Sequence, residues 1–333
     1  MLSRTADHLF WMSRYVERAE NTARMLDVNY QTSLVPQSAA ATDAAWRGLL
    51  GISELGPDFA ARHGEVSAER VMDYMVFDAD NESSIHSCLL AARENARAVR
   101  GTLTTEVWET QNQTWLEFQR MTGSDAFRRD PTSLFEWVKF RSHLSRGVTV
   151  GTMLQDEAFH FLRIGSFLER ADNTARLLDV RFHAVDSEFH GGQGQSQRQG
   201  VPLLADGDAK DLEIDFYHWS SILRSVSGFE VYRKVYRNVI RPEKVAELLI
   251  LRPDMPRSLA ACMHEVVSNL QRVSNEQSHE TLRQAGRLHA DLQYGRIDEI
   301  LATGLHAFLT QFLERVGRLG SGISRDFLVS GSA

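Results

Sequence analysis

The sequence predicts an all-α fold, and three features of the 333-residue chain carry that prediction. Long segments place apolar residues three and four apart, the repeat of a helix face packed on a core. No segment alternates apolar and polar residues convincingly as a half-buried strand would. The seven prolines, at 36, 57, 131, 202, 242, 253 and 256, all fall where the helical period pauses, as suits a residue that disrupts helix interiors.

Taken in order, the first helix is expected over 3–33, where Met12, Val16, Ala19, Ala23, Leu26 and Tyr30 line up as one apolar stripe. The small Ala19 and Ala23 leave room for a neighbouring helix to come close. Helices are then expected over 40–54, between Pro36 and Pro57, and over 66–77 and 82–110. Pro131 precedes one over 132–150, and 153–186 follows. The remainder reads as helices over 211–226, 229–237, 242–251, 256–274, 277–294 and 305–328.

An internal match sets the expected architecture. Residues 14–28 and 166–180 are identical at ten of fifteen positions, sharing Glu-Arg-Ala, Asn-Thr-Ala-Arg and Leu-Asp-Val at an offset of 152. A weaker match at offset 174 pairs Ser84 with Ser258, Cys88 with Cys262, Asn95 with Asn269 and Val99 with Val273. The chain therefore reads as a pseudo-duplicated helical bundle, with repeat one over 1–150 and repeat two over 151–333 packed around a shared polar seam. The difference in offset falls at a Gly/Gln-rich insertion, about 187–208, which lacks apolar anchors and reads as a mobile loop.

Charge and composition narrow the function. The chain has 37 basic and 44 acidic side chains, a net −7. Residues 1–150 hold 16 basic against 20 acidic groups and the rest 21 against 24. Neither half has the basic stripe of a nucleic-acid binder. The longest aliphatic run, Leu248–Leu251, is far below the roughly 20 residues that cross a bilayer. The first residues hold no apolar signal core, and two cysteines cannot build a disulfide framework or a Cys-rich zinc site. A cytoplasmic protein that engages neither nucleic acid nor membrane is expected. Of the 37 basic residues only Lys139, Lys210, Lys234 and Lys244 are lysine, a bias that a GC-rich genome explains without an anion site.

The repeated block carries the candidate site. Opposite the apolar stripe lie Arg14, Glu17, Asn21 and Arg24, close enough in spacing to touch. The second copy repeats this with Glu169, Asn173 and Arg176, and sets Leu168, Ala171, Ala175 and Leu178 toward the core. Glu17/Glu169, Arg18/Arg170, Asn21/Asn173, Arg24/Arg176 and Asp27/Asp179 match one for one where most other positions have drifted. Two readings remain open: buried pairs between helices, or a shared ligand cleft. Adjacent residues diverge by about 100° around a helix, so Glu17 and Arg18 cannot both point squarely into one cleft.

This block, Glu-Arg-Ala-Glu/Asp-Asn-Thr-Ala-Arg, resembles the alpha-E domain family, named for its helices and its Glu-Arg motif. Met1-Leu2-Ser3-Arg4-Thr5-Ala6, Thr152–Glu157, Phe312-Leu313-Glu314-Arg315 and Arg318-Leu319-Gly320 are similar to that family too. Gln155 and His160 depart from its pattern, which places arginine and tryptophan there. The resemblance implies an accessory or cooperating component of an amide- or peptide-ligase system. Its implied partners are a circularly permuted ATP-grasp protein and a transglutaminase-like protein, and its implied substrate an amino acid or peptide. By the same resemblance Glu17, Arg18, Glu169, Arg170, Asp156 and Glu157 are functional candidates. In a mechanism built on them, Arg18, Arg24, Arg170 and Arg176, with Asn21 and Asn173, hold a carboxylate. Glu17, Glu169, Asp156 and Glu157 are the candidate catalytic carboxylates. An independent amide-processing enzyme and a non-catalytic helical adaptor are the alternatives.

Other constellations are weaker. Glu157-Ala-Phe-His160 and Glu276-Gln-Ser-His279 have the Glu-x-x-His spacing of di-metal helical bundles, which would make the chain an oxidase. The two are not repeat-related, and no metal or other cofactor is expected. His264-Glu265 lacks the second histidine of a zincin helix, and no glycine-rich phosphate loop is present. His8 and His160 are repeat-equivalent and read as packed or surface residues. Cys88 and Cys262 read as packing residues. Trp108, Trp115, Phe118, Phe135 and Trp137 read as a hydrophobic seam joining the two copies.

Overall fold

The computed structural model describes residues 1–34, 39–123, 126–190, 219–237 and 239–328, and they are helical with no strand among them. The first half comprises α1 (Ser3–Ser33), α2 (Ala39–Ile52), α3 (Gly56–His63), α4 (Ala68–Val76), α5 (Ile85–Ala98), α6 (Thr105–Thr122), α7 (Ala126–Arg129) and α8 (Pro131–Thr152). After α9 (Glu157–His190) and a helical stretch over 219–225 come α10 (Phe229–Tyr236), α11 (Pro242–Ile250), α12 (Leu259–Arg272), α13 (His279–Gln293), α14 (Ile297–Thr303) and α15 (Leu305–Phe327). Residues 187–190 continue α9 and the rest of the 187–208 insertion lies outside the described residues, as does 211–218.

Side-chain caps set many of the boundaries. Ser67, Ser84, Thr104, Asp130 and Ser258 each accept a hydrogen bond from a backbone N–H in the first turn of α4, α5, α6, α8 and α12. One expected helix is corrected here: 82–110 is not continuous. A 3₁₀ turn over Arg100–Thr102 ends α5, and Thr104 caps a fresh helix that runs on to Thr122. The short α3, α7 and α14 add turns where the sequence reading placed none.

Four long helices of each half form a bundle. In the first, α1 packs on α5 and α8, and α6 bridges those two; in the second, α9 packs on α12 and α15, and α13 bridges them. Helices α4, α5, α6 and α8 begin at 68, 85, 105 and 131, and α11, α12, α13 and α15 at 242, 259, 279 and 305, each 174 residues later. The bundles meet along α1 and α9, and one buried apolar cluster runs through both. Side chains of α1 contact successively later residues of α9, so the two helices run parallel. The aromatic cluster expected to join the two copies instead packs α6 on α8 within the first bundle, with Trp115 stacked on Phe118 and Phe118 on Trp137, because both helices belong to that half and the bundles meet along α1 and α9. Among the described residues no helix is long and apolar enough to cross a membrane.

Candidate functional site

The close approach that builds the site comes from a glycine. A Cβ on Gly165 of α9 would lie 2.3 Å from both the Phe10 carbonyl oxygen and Ser13 Oγ of α1, so backbone meets backbone there. Ala19, Ala23, Ala171 and Ala175, on the apolar faces of the two helices, are all buried. About one turn beyond Gly165 the two Glu-Arg pairs come level.

Each glutamate takes the arginine of the other motif. Arg170 donates from Nε to Glu17 Oε1 at 2.9 Å and from Nη2 to Glu17 Oε2 at 2.8 Å. Arg18 donates from Nε to Glu169 Oε1 at 2.6 Å and from Nη2 to Glu169 Oε2 at 3.1 Å. Both contacts are forked, the strongest geometry open to a guanidinium and a carboxylate. The divergence of neighbouring residues is thereby used: Glu17 reaches toward α9 at one level while Arg18 reaches it at another.

The Glu17 side is the more deeply buried. Glu17 is 1 % exposed and also accepts from Arg257 Nη1 and Arg146 Nη1, each at 3.0 Å. One turn on, the fully buried Glu20 accepts from Arg24 Nε at 2.8 Å, Arg257 Nη2 at 2.5 Å, Arg146 Nη1 at 2.5 Å and Ser142 Oγ at 2.6 Å. Two carboxylates thus face four guanidiniums. Burial pushes the Glu17 carboxyl up, but Arg170, Arg257 and Arg146 outweigh it and hold it at about 2. Glu20 is likewise held well below its usual range, by Arg257, Arg146 and Arg24 against burial. Burial lowers the Arg257 guanidinium, with Glu17 and Glu20 opposing the change.

Glu169 has a simpler setting. Arg14 Nε joins Arg18 at 2.7 Å, and the two hold the carboxyl below its usual value against burial. The remaining candidates divide. Asn21 accepts from Arg257 Nη1 at 2.9 Å, while its buried Nδ2 has no hydrogen-bond partner among the described residues. Arg24 donates to Ser227 Oγ at 2.6 Å beyond Glu20. Arg176 is tied to Asp172 at 2.7 Å and to Glu54, and Asn173 is half-buried. Asp156 is exposed and accepts from the Ala158 and Phe159 backbone N–H groups, which caps α9. Glu157 is exposed and pairs with the Met1 amine, about 18 Å along the helix from Glu169. The structure therefore gathers Glu17, Arg18, Asn21, Arg24, Glu169 and Arg170 and leaves Asp156, Glu157 and Arg176 apart.

Sequence reasoning missed Glu20, Ser142, Arg146 and Arg257. Glu20 stands inside the repeated block opposite Asp172 and could have been found there. Arg257 carried no such signal, because Ser83 occupies the position 174 residues earlier.

Little open space adjoins the motif. A crevice of about 30 Å³ between α1, α8 and α9, with Ser13, Val16, Arg146 and Arg163 among its walls, has room for about one water. The paired histidines are also committed, His8 to Asn95 and His160 to Asn269, each at 2.8 Å. Among the described residues no group of three or more His, Cys, Asp and Glu could hold a metal ion. Cys88 and Cys262 are fully buried, and burial pushes both thiols up to about 12.

No curated protein and no solved structure matches this chain. A family model does: Alpha-E, described as a predicted alpha-helical domain with a conserved ER motif, matches residues 1–328. The chain carries two Glu-Arg dipeptides of the repeated block, Glu17-Arg18 and Glu169-Arg170, whose side chains form the crossed pairs, and the chain belongs to the Alpha-E family.

Proposed function

We propose that this chain is a non-catalytic accessory component of an ATP-grasp amide- or peptide-ligase system, and that its Glu-Arg motifs are an internal clamp. The observation that carries the clamp is the reciprocal forking: every oxygen of Glu17 and Glu169 already accepts from an arginine. A general base must be free to take a proton near neutral pH. Glu17, held at about 2 by its guanidiniums, is poorly suited to that task. A crevice of one-water size leaves no place for a peptide carboxylate unless α1, α8 and α9 part. The ATP-grasp and transglutaminase-like partners rest on the family resemblance.

In this reading the chain is two copies of one four-helix unit, each contributing one helix to the clamp. The recurring 174-residue displacement supports this, as do the matched His8–Asn95 and His160–Asn269 contacts. Fusion of two copies lets one glutamate and one arginine per copy satisfy each other across the seam.

The test is recovery of the tagged chain from native lysate, with partners identified by mass spectrometry. ATP-dependent amide formation by the recovered ligase is then measured with the wild-type chain and with Glu169→Gln. The expected result is an ATP-grasp protein in stoichiometric yield, and a variant that melts earlier yet supports equal turnover while folded. Recovery of the chain alone contradicts the accessory role. Turnover by the chain itself that Glu169→Gln abolishes with the fold intact contradicts the clamp.

A further inference from the structure

A second arginine cluster lies away from the clamp, on the outer faces of α13 and α15. Glu280, Arg283, Gln284 and Arg287 stand at i, i+3, i+4 and i+7 on α13, and Gln311, Arg315 and Arg318 at i, i+4 and i+7 on α15. Those spacings put each set on one helix face. The two faces enclose a groove of about 370 Å³, within the size range of small-molecule sites.

The acids beside the groove are already engaged. Glu280 accepts both prongs of Arg283, at 2.7 and 2.5 Å, and Gln284 Nε2 at 2.9 Å. Asp291 pairs with Arg315 at 2.7 Å. Arg287 and Arg318 are exposed and have no ion-pair partner among the described residues. Four guanidiniums against these two carboxylates leave two positive charges facing one concavity.

Helix packing does not require this arrangement. The α6–α8 pair, 174 residues earlier, sets Glu109, Gln113, Trp137 and Leu144 where α13 and α15 carry Arg283, Arg287, Gln311 and Arg318. There Arg141 lies over the Trp137 ring, 6.0 Å from its centroid. Only Arg141 and Arg315 correspond as arginines, and each meets the acid of its own neighbouring helix, Glu117 or Asp291. The surplus charge is thus specific to the second bundle.

We propose that the α13–α15 groove binds a small, multiply charged phosphate anion, with Arg287 and Arg318 as its principal ligands and Arg283 and Arg315 fixed at its sides. Guanidinium forks match carboxylate and phosphate oxygens alike, and the two surplus guanidinium charges facing one groove call for a ligand with more than one negative charge, which a compact phosphate supplies and a single carboxylate does not. The walls offer no aromatic or aliphatic side chain, so the ligand is polar throughout and no nucleobase is stacked.

The test is calorimetric titration of the full chain with pyrophosphate, inorganic phosphate and citrate at 0.15 M salt. The variants are R287Q/R318Q and the control R272Q, whose arginine is exposed on α12. Pyrophosphate is expected to bind tightest, with affinity falling roughly tenfold or more in R287Q/R318Q and holding in R272Q. Both variants should keep the wild-type helical circular dichroism. Equal pyrophosphate binding by all three proteins, or no binding by the wild type, overturns the site. Citrate binding as tight as pyrophosphate overturns the phosphate assignment.

Discussion

Replacing Glu17 by glutamine is the sharpest perturbation of the clamp. The substitution keeps the shape and removes one of the two anions that face Arg24, Arg146, Arg170 and Arg257. Glu20 is then left against a surplus of three positive charges in a site where Glu17 is 1 % exposed. Breaking one side of a buried pair costs about 3–5 kcal/mol. The acid equilibrium gives a similar size: a carboxyl moved from 4.5 to about 2 contributes about 3 kcal/mol at neutral pH, at 1.36 kcal/mol per unit. Glu169→Gln should cost less, about 1–3 kcal/mol, because Arg14 and Arg18 are 18 % and 25 % exposed and water can solvate them. The assay is urea unfolding followed by circular dichroism. The Glu17→Gln midpoint should fall by about 1 M or more. A loss below about 1 kcal/mol for Glu17→Gln, or a larger loss for Glu169→Gln, refutes the reasoning.

Three further outcomes follow from the same geometry. Glu17, Glu20 and Glu169 all have carboxyls held below their unfolded values, so their stabilisation is complete above about pH 4.5 and is lost as pH falls toward 2; unfolding measured across that window should show a steep decline that Glu17→Gln flattens. Gly165→Ala should destabilise by about 1–3 kcal/mol, since its Cβ meets the Phe10 carbonyl at 2.3 Å, whereas Gly147→Ala, with open space around it, should stabilise by about 0.5–1 kcal/mol; calorimetric melting separates the two. Cys88 and Cys262, fully buried with thiols pushed up to about 12, should not react with a thiol reagent at pH 8 until urea unfolds the chain, when both should react.

The sequence carried the long helices and the identity of the motif, because both are written locally. The stripe from Met12 to Tyr30 has no internal break, and α1 spans Ser3–Ser33 as expected. The break near Val99 was missed because no proline marks it; its signals were the single Gly101 and the Thr104 cap. Helices α3, α7 and α14 are too short to show a full apolar period. For the site, the repeated Glu-Arg block was visible but its partners were not. Periodicity placed Glu17 and Arg18 on different faces, and only the parallel course of α1 and α9 shows that each points at its counterpart. The polar stripe of α1 is buried, with Asn21 and Arg24 nearly inaccessible, because four arginines converge on it from α1, α8, α9 and the residue before the α12 cap. Arg257 joins from a position whose counterpart is Ser83, so no internal comparison could have marked it.

The central claim is that the motifs pair across the seam and not within themselves, and a pair of double-mutant cycles tests it most directly. One cycle combines Glu17→Gln with Arg170→Gln, 153 positions apart; the other combines Glu17→Gln with Arg18→Gln, adjacent in sequence. Urea unfolding of each single and double variant should give a coupling of about 1–3 kcal/mol for the distant pair and less than about 0.5 kcal/mol for the adjacent one. Equal couplings, or a larger one for Glu17 with Arg18, would contradict the crossed clamp.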